Sequence, residues 1–163
     1  RMRGSISPYK RSANRLATIT AQEMTRRFWE TTLRGGYAGH GETYVHPQDI
    51  LWWSHGGKLH GDSPARLRFL HSILEELPQG GLAYAGRRVC VNQEKMPGGK
   101  SVRLEYLGKS CPSIMEYHLE EGQYQVDVID TWNMTIEDRG VHGPVFSVDM
   151  PTREYMAIRI TKL

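Results

Sequence analysis

The hydrophobic period of this sequence changes once, at Pro78-Gln79-Gly80-Gly81. Before that point apolar residues recur at helical spacing; after it they alternate. A helix gathers residues three and four apart onto one face, whereas a strand gathers residues two apart. The tetrapeptide suits a boundary, because proline cannot continue a helix and glycine accepts the left-handed conformation at a helix end. One chain thus carries two patterns that cannot belong to one regular element. The expected division is a helical part over 1–80 and an all-β part over 81–163.

Within the first part, Thr20 and Glu23 have the spacing of a capping box. The threonine hydroxyl can accept from the backbone N–H of Glu23, and the carboxylate can reach back to Thr20. Met24, Phe28 and Thr31/Thr32 then follow at helical spacing, with Arg26, Arg27 and Arg34 outside, and Gly35-Gly36 ends the run. This predicts a helix over about 21–34. Tyr37-Ala38-Gly39-His40 is short, small and uncharged, as a buried strand can be. From Val45 to Asp62 there is no periodicity, yet the stretch holds Pro47, Trp52-Trp53, Gly56-Gly57 and Gly61. Long irregular loops in compact domains are usually functional or disordered, and this aromatic content argues against disorder. Asp62-Ser63-Pro64 opens a second helix, with proline in the first turn where its missing N–H costs nothing. Leu67, Leu70, Leu74 and Leu77, with Phe69 and Ile73, form its apolar face.

Beyond the boundary, Val102–Leu107, Ser113–Leu119, Tyr124–Trp132, Val145–Met150 and Tyr155–Thr161 read as strands, and Leu82–Val91 adds one or two more. Many short strands separated by Gly and Pro turns indicate a sandwich or small barrel. The fold class expected is α+β, with the β-part an antiparallel sandwich.

With 163 residues, 39% hydrophobic and 24% charged, the chain can bury a real core. The formal net charge is +3 and the basic residues are scattered, except at Arg1, Arg3, Lys10, Arg11 and Arg15. These read as a solvated end, since no nucleic-acid-binding motif follows. No apolar run can span a bilayer, and the start lacks the apolar stretch of a signal peptide. Neither nucleic acid nor membrane is therefore expected as a partner, and the cytoplasm is favoured over export. Cys90 and Cys111 are too few for a disulfide framework and are expected as free, half-buried thiols.

The segments Arg27-Phe28-Trp29-Glu30, Arg34 through Tyr44, Leu51 through Gly57 and Gly61 through Arg66 resemble the end of the barrel in apiosidase-like glycoside hydrolases. The segments Tyr124 through Ile136 and Tyr155 through Arg159 resemble the small β-domain that follows that barrel. The resemblance implies a C-terminal fragment of a (β/α)₈ barrel, contributing its last helix, strand, loop and helix. It also implies hydrolysis of a glycosidic bond by two carboxylates. The pair is not complete in this chain, so the isolated polypeptide is expected to be inactive. The non-enzymatic alternative is a carbohydrate-binding or protein-interaction β-sandwich.

Glu42 is the acid placed at a presumptive strand end, inside Gly39-His40-Gly41-Glu42-Thr43-Tyr44. Glycoside cleavage needs an acid and a second carboxylate across the scissile bond. Glu42 fits a catalytic or sugar-contacting carboxylate, or a structural one paired with an arginine. His40, Tyr44, His55 and His60 offer hydrogen bonds to sugar hydroxyls. Trp52 and Trp53 point to opposite sides if extended, so one can present a flat face to a sugar while the other packs; both can also be core. His40, His46, His55, His60 and Glu42 are chemically able to bind metal, but their spacing matches no recognised ligand set. No metal or other cofactor is expected. Asp130 is expected to fix the turn after its strand through side-chain hydrogen bonds. Trp29 and Trp132 are expected to pack. A saccharide is the expected ligand, and open barrel edges invite self-association.

Overall fold

The computed structural model describes residues 19–39, 61–77, 83–86, 89–92 and 101–163. It is an α+β fold with two helices and antiparallel sheets. Helix α1 spans Ala21–Leu33 and α2 spans Ser63–Glu75. Strands β1 (Ala83–Tyr84), β2 (Val89–Asn92), β3 (Val102–Tyr106), β5 (Tyr124–Asp130), β6 (Thr135–His142) and β8 (Met156–Lys162) form one six-stranded sheet, ordered β1-β2-β3-β8-β5-β6. Strands β4 (Ile114–His118) and β7 (Val145–Asp149) form a second, two-stranded sheet. All pairings are antiparallel.

The large sheet is covered on both faces, and the period of two decides which residue goes where. On one face Leu104, Tyr106, Ile129 and Ala157 meet Trp29 and Leu33 of α1 and Leu70 and Ile73 of α2. On the other, Val126, Val128, Met156, Ile158 and Ile160 meet Tyr117 of β4 and Val148 of β7. The layers are thus helices, large sheet, small sheet. Full burial of a side chain such as Ile73 stabilises the fold by about 1.5–3 kcal/mol relative to exposure.

Helix α1 begins as its sequence suggests, with one difference. The Thr20 hydroxyl accepts from the Glu23 N–H at 3.2 Å. The Glu23 carboxylate, however, is taken by Arg26 at 2.7 Å and Arg27 at 2.8 Å, so the box closes on one side through ion pairs instead of reaching back. Helix α2 has proline in its first turn, as expected, but Asp62 makes no side-chain cap bond. Its start is fixed by Arg66, which donates to the carbonyls of Asp62 at 2.9 Å and Trp132 at 3.0 Å and stacks 4.2 Å from the centre of the Trp132 ring. Its end is fixed by Arg159 of β8, which bonds Asp127 at 2.8 Å and Glu76 at 2.5 Å.

The strand bounds fall within two residues of the expected ones, but β6 is an addition. Thr135–His142 is mostly exposed at a sheet edge and lacks alternation. It also bulges: the register with β5 shifts between Gln125 and Asp127, Gly140 has φ +83°, and Asp138 accepts from the Gly140 N–H at 2.6 Å. Tyr37–Gly39 does not form the buried strand its composition allows. The backbone there is irregular and Tyr37 is 102% exposed; among the described residues none pairs with it, and a strand needs a partner. Cys111 is exposed rather than half-buried, because it lies in the turn region between β3 and β4.

Candidate functional site: a cavity at the helix–sheet junction

A cavity of about 350 Å³ opens where the C-terminal half of α1 meets β1 and the end of β3. Glu30 and Arg34 come from α1, Tyr84 from β1, Tyr106 from β3, and Lys109 and Ser110 from the turn that follows; Leu33 and Leu107 add apolar lining. Sites for small molecules have this character, mostly apolar with a few converging polar groups.

Local sequence places each group. Glu30 and Arg34 are four apart, so they share a helix face. The Glu30 carboxylate bonds Arg26 at 2.6 Å and Arg34 at 3.3 Å. Gly108 lets the turn close beneath it: φ is +60°, and a Cβ there would lie 3.2 Å from Glu30 Oε1 and 3.7 Å from Tyr106 Cε1. Any other residue would be strained and crowded at once. The turn is tied down by Ser110 N–H donating to the Leu107 carbonyl at 3.0 Å and Tyr155 N–H donating to the Gly108 carbonyl at 2.6 Å. Lys109 projects from it as an exposed residue.

Tyr106 is 3% exposed and stacks on Trp29, with ring centres 5.2 Å apart. Its buried hydroxyl has no hydrogen-bond partner among the described residues. Thr131 lies beside it; the Thr131 hydroxyl donates to the Tyr155 carbonyl at 2.7 Å and keeps lone pairs that can accept. Burial pushes the Tyr106 phenol well above its ordinary value; the nearby Thr131 opposes this more weakly. The Trp29 indole N–H and the Thr25 hydroxyl are also buried, with no partner among the described residues. Each unmet buried polar atom costs about 1–3 kcal/mol. On the same helix, the hydrogen bonds from Arg26 hold the Glu23 carboxyl down to about 2.

Among the described residues the cavity is lined by one carboxylate, Glu30, and by the cations of Arg34 and Lys109. Glycoside cleavage needs two carboxyl groups across a bond. The residues singled out from sequence, His40, Glu42, Tyr44, Trp52, Trp53, His55 and His60, lie outside the described residues, as do His46 and the N-terminal arginines. Among the described residues no group of His, Cys, Asp or Glu could hold a metal ion, and no helix is long and apolar enough to cross a membrane. The cavity itself was missed in the sequence. Its residues come from three separated segments, and the available signals were a lone Glu30/Arg34 pair and a glycine in a turn.

Two of the residues read as structural take the expected part. Trp29 is fully buried. Asp130 accepts from the backbone N–H groups of Trp132 at 3.0 Å and Asn133 at 2.7 Å, and pairs with Arg153 at 2.6 Å. It fixes the turn into β6, where Met134 has φ 59°.

Residues 90–161 match a family described as a domain of unknown function, DUF5605. No curated protein matches the chain. Among solved structures, the fold is similar to that of a candidate glycoside hydrolase from Bacteroides vulgatus ATCC 8482: TM-score 0.76, 23% identity, covering 90% of this chain and 33% of that one. It is also similar to a structure named glycoside hydrolase, with TM-score 0.53 and 13% identity, covering 88% of this chain and 37% of that one. A glycoside hydrolase family 5 structure from Bacteroides vulgatus ATCC 8482 gives TM-score 0.56 and 11% identity, covering 90% of this chain and 36% of that one. The chain spans about a third of the length of these structures. At these identities the likeness is one of fold.

Proposed function

We propose that this chain is the C-terminal part of a glycoside hydrolase of the apiosidase-like barrel type, acting on plant or bacterial polysaccharide or oligosaccharide. The observation that carries this reading is the fold likeness over 90% of this chain to a third of a candidate glycoside hydrolase. In this proposal residues 1–80 supply the last helix, strand, loop and helix of the barrel, and 81–163 form the accessory β-domain. Residues His40, Glu42, Tyr44, Trp52, Trp53, His55 and His60 line one wall of the sugar site. Glu42 contacts the sugar, and the second carboxylate comes from elsewhere in the complete barrel.

The test compares the 163-residue chain with the complete gene product on a panel of dye-linked polysaccharides. The complete product is expected to hydrolyse at least one of them, and the isolated chain none. In the complete product Glu42→Gln is expected to lower hydrolysis, and Trp52→Ala or Trp53→Ala to weaken saccharide affinity. A complete product that binds and cleaves no saccharide rules the proposal out. The isolated chain should self-associate through its open barrel edge; a monomer in sedimentation would count against the barrel part.

The alternative of a non-catalytic binding or interaction module draws on one observation. The DUF5605 match is confined to 90–161, within the β-part. That reading gains if the β-part retains glycan affinity when the barrel residues of the complete protein are inactivated.

A further inference from the structure

We infer that Arg66 and Trp132 are positioning residues: together they fix the start of α2 on the β-part, and so set where the chain entering that helix lies. Their role in hydrolysis rests on the glycoside-hydrolase reading; the tie itself rests on its own geometry.

A helix start is ordinarily settled locally. Its free N–H groups take a side-chain cap, and Asp62 is a residue type that supplies one. Asp62 makes no such bond here. The Arg66 guanidinium instead reaches two carbonyls at once, that of Asp62 at 2.9 Å and that of Trp132, sixty-six residues along the chain, at 3.0 Å. It also lies 4.2 Å from the centre of the Trp132 ring, close enough for the cation to be drawn to the aromatic face. A local cap stabilises a helix without fixing where it sits. A planar fork shared between the helix and a distant turn fixes both distance and direction. Ser63, the first residue of α2, is fully buried, so the helix start is seated in the fold.

The turn that receives Arg66 is held by several bonds. Asp130 accepts from the backbone N–H groups of Trp132 and Asn133 and from the Asn133 side-chain amide, and pairs with Arg153. Met134 just beyond has φ 59°. That backbone costs about 1–3 kcal/mol in a residue with a Cβ, persists where the surroundings impose it, and clusters at functional sites.

The preceding helix is anchored to the same sheet. Helix α1 ends with Leu33 buried, and its Trp29 stacks on Tyr106 of β3. The chain thus leaves α1 and enters α2 at two points held by one sheet. The proposed sugar-site residues, from His40 to His60, lie between those points in the sequence. Catalytic geometry is set to a fraction of an ångström, and a small displacement from a distant change costs much of the rate. The β-part acts as a brace for the barrel, not as a separate sugar-binding module.

The first test is hydrogen exchange in the 163-residue chain. Arg66→Ala is expected to speed exchange at the amides of Leu67 and Arg68 about tenfold and to leave Ile73 and Leu74 unchanged. Arg66→Lys, whose ammonium cannot span both carbonyls with the same fork, is expected to recover part of that protection. The second test uses the complete protein on a polysaccharide that it cleaves, assayed well below the Tm of every variant. Arg66→Ala and Trp132→Ala are each expected to lower kcat about tenfold, with a smaller change in KM. Arg159→Ala, at the opposite end of α2, is expected to lower Tm and leave kcat unchanged. Unchanged exchange at Leu67 and Arg68, unchanged kcat in Arg66→Ala, or equal losses of kcat in the Arg66 and Arg159 variants overturns the inference. The two readings fail separately. Hydrolysis by the complete protein that Arg66→Ala leaves intact removes the positioning role and leaves the enzyme. Faster exchange in Arg66→Ala with no hydrolysis by the complete protein removes the enzyme and leaves the tie between α2 and the turn.

Discussion

The two faces of the large sheet are closed in different ways. The face toward β4 and β7 is covered by strands that belong to the same run of sequence, and Tyr117, Val126, Val148 and Ile158 meet there in an apolar core. Its one buried polar group of note, Glu105, is answered by Tyr117 at 3.3 Å and Arg103 at 3.4 Å. Arg103 has an unmet Nε but still bonds through another nitrogen. The face toward the helices is covered by segments remote in sequence. There Thr25, Trp29 and Tyr106 each have a single polar side-chain atom, and none has a partner among the described residues. Satisfied polar groups mark a finished core; unmet ones mark a place where the fold has accepted a cost. The cavity lies on the second face.

The strongest test of this contrast is Trp29→Ala. Removing a fully buried indole should destabilise by about 3–5 kcal/mol in chemical denaturation. A loss below about 1 kcal/mol would mean that the helices contribute little to the stability of the sheet. Next is the charged clamp on the same face. Asp127→Ala leaves Arg159 with only the more exposed Glu76, and should cost about 2 kcal/mol. Arg159→Lys should recover less than the wild-type stability, since one ammonium cannot serve both carboxylates with the same planar fork.

A paired comparison separates the faces directly. Tyr117→Phe removes a bond to a buried carboxylate and should cost about 1 kcal/mol, read as a lower Tm. Tyr106→Phe removes a hydroxyl that has no partner among the described residues, and should leave Tm unchanged or raise it slightly. Equal losses would erase the distinction.

The smallest effect is acidic. The Glu23 carboxyl is lowered from 4.5 to about 2 by Arg26, aided by Arg27. A depressed folded-state value contributes stability that is fully present above 4.5 and is lost as pH falls toward 2. Tm should fall across that window, and Glu23→Gln should flatten part of the fall. The ion pairs run along one helix surface and the carboxylate is only partly covered, so the effect is small.

Much of this architecture was legible in the sequence. Both helices were, since capping threonine, first-turn proline and terminal glycine act locally. Strands with one buried and one partly buried face, such as Tyr124–Asp130 and Met156–Lys162, were legible from alternation and apolar content. Strand β6 was not, because Thr135–His142 lies at an edge with mostly exposed residues and Gly140 looks like a break. Tyr37 misled in the other direction: small uncharged composition suggests burial, but a strand is made by its neighbours. The cavity was invisible for a related reason. Glu30, Tyr84 and Lys109 are brought together by tertiary packing, and no spacing in one dimension announces it.

The strand order has a consequence for how the molecule is made. Strand β8 lies between β3 and β5, although it is synthesised after both. Until Met156–Lys162 leaves the ribosome, β3 and β5 have no common neighbour, and each keeps an unpaired edge. The sheet cannot zip up progressively with translation; it closes in a late step joining residues more than fifty positions apart, from Tyr106 and Ala157 to Val102 and Thr161. A nascent chain stalled before β8 is thus the form most exposed to wrong pairing, and the form a chaperone would have most reason to hold.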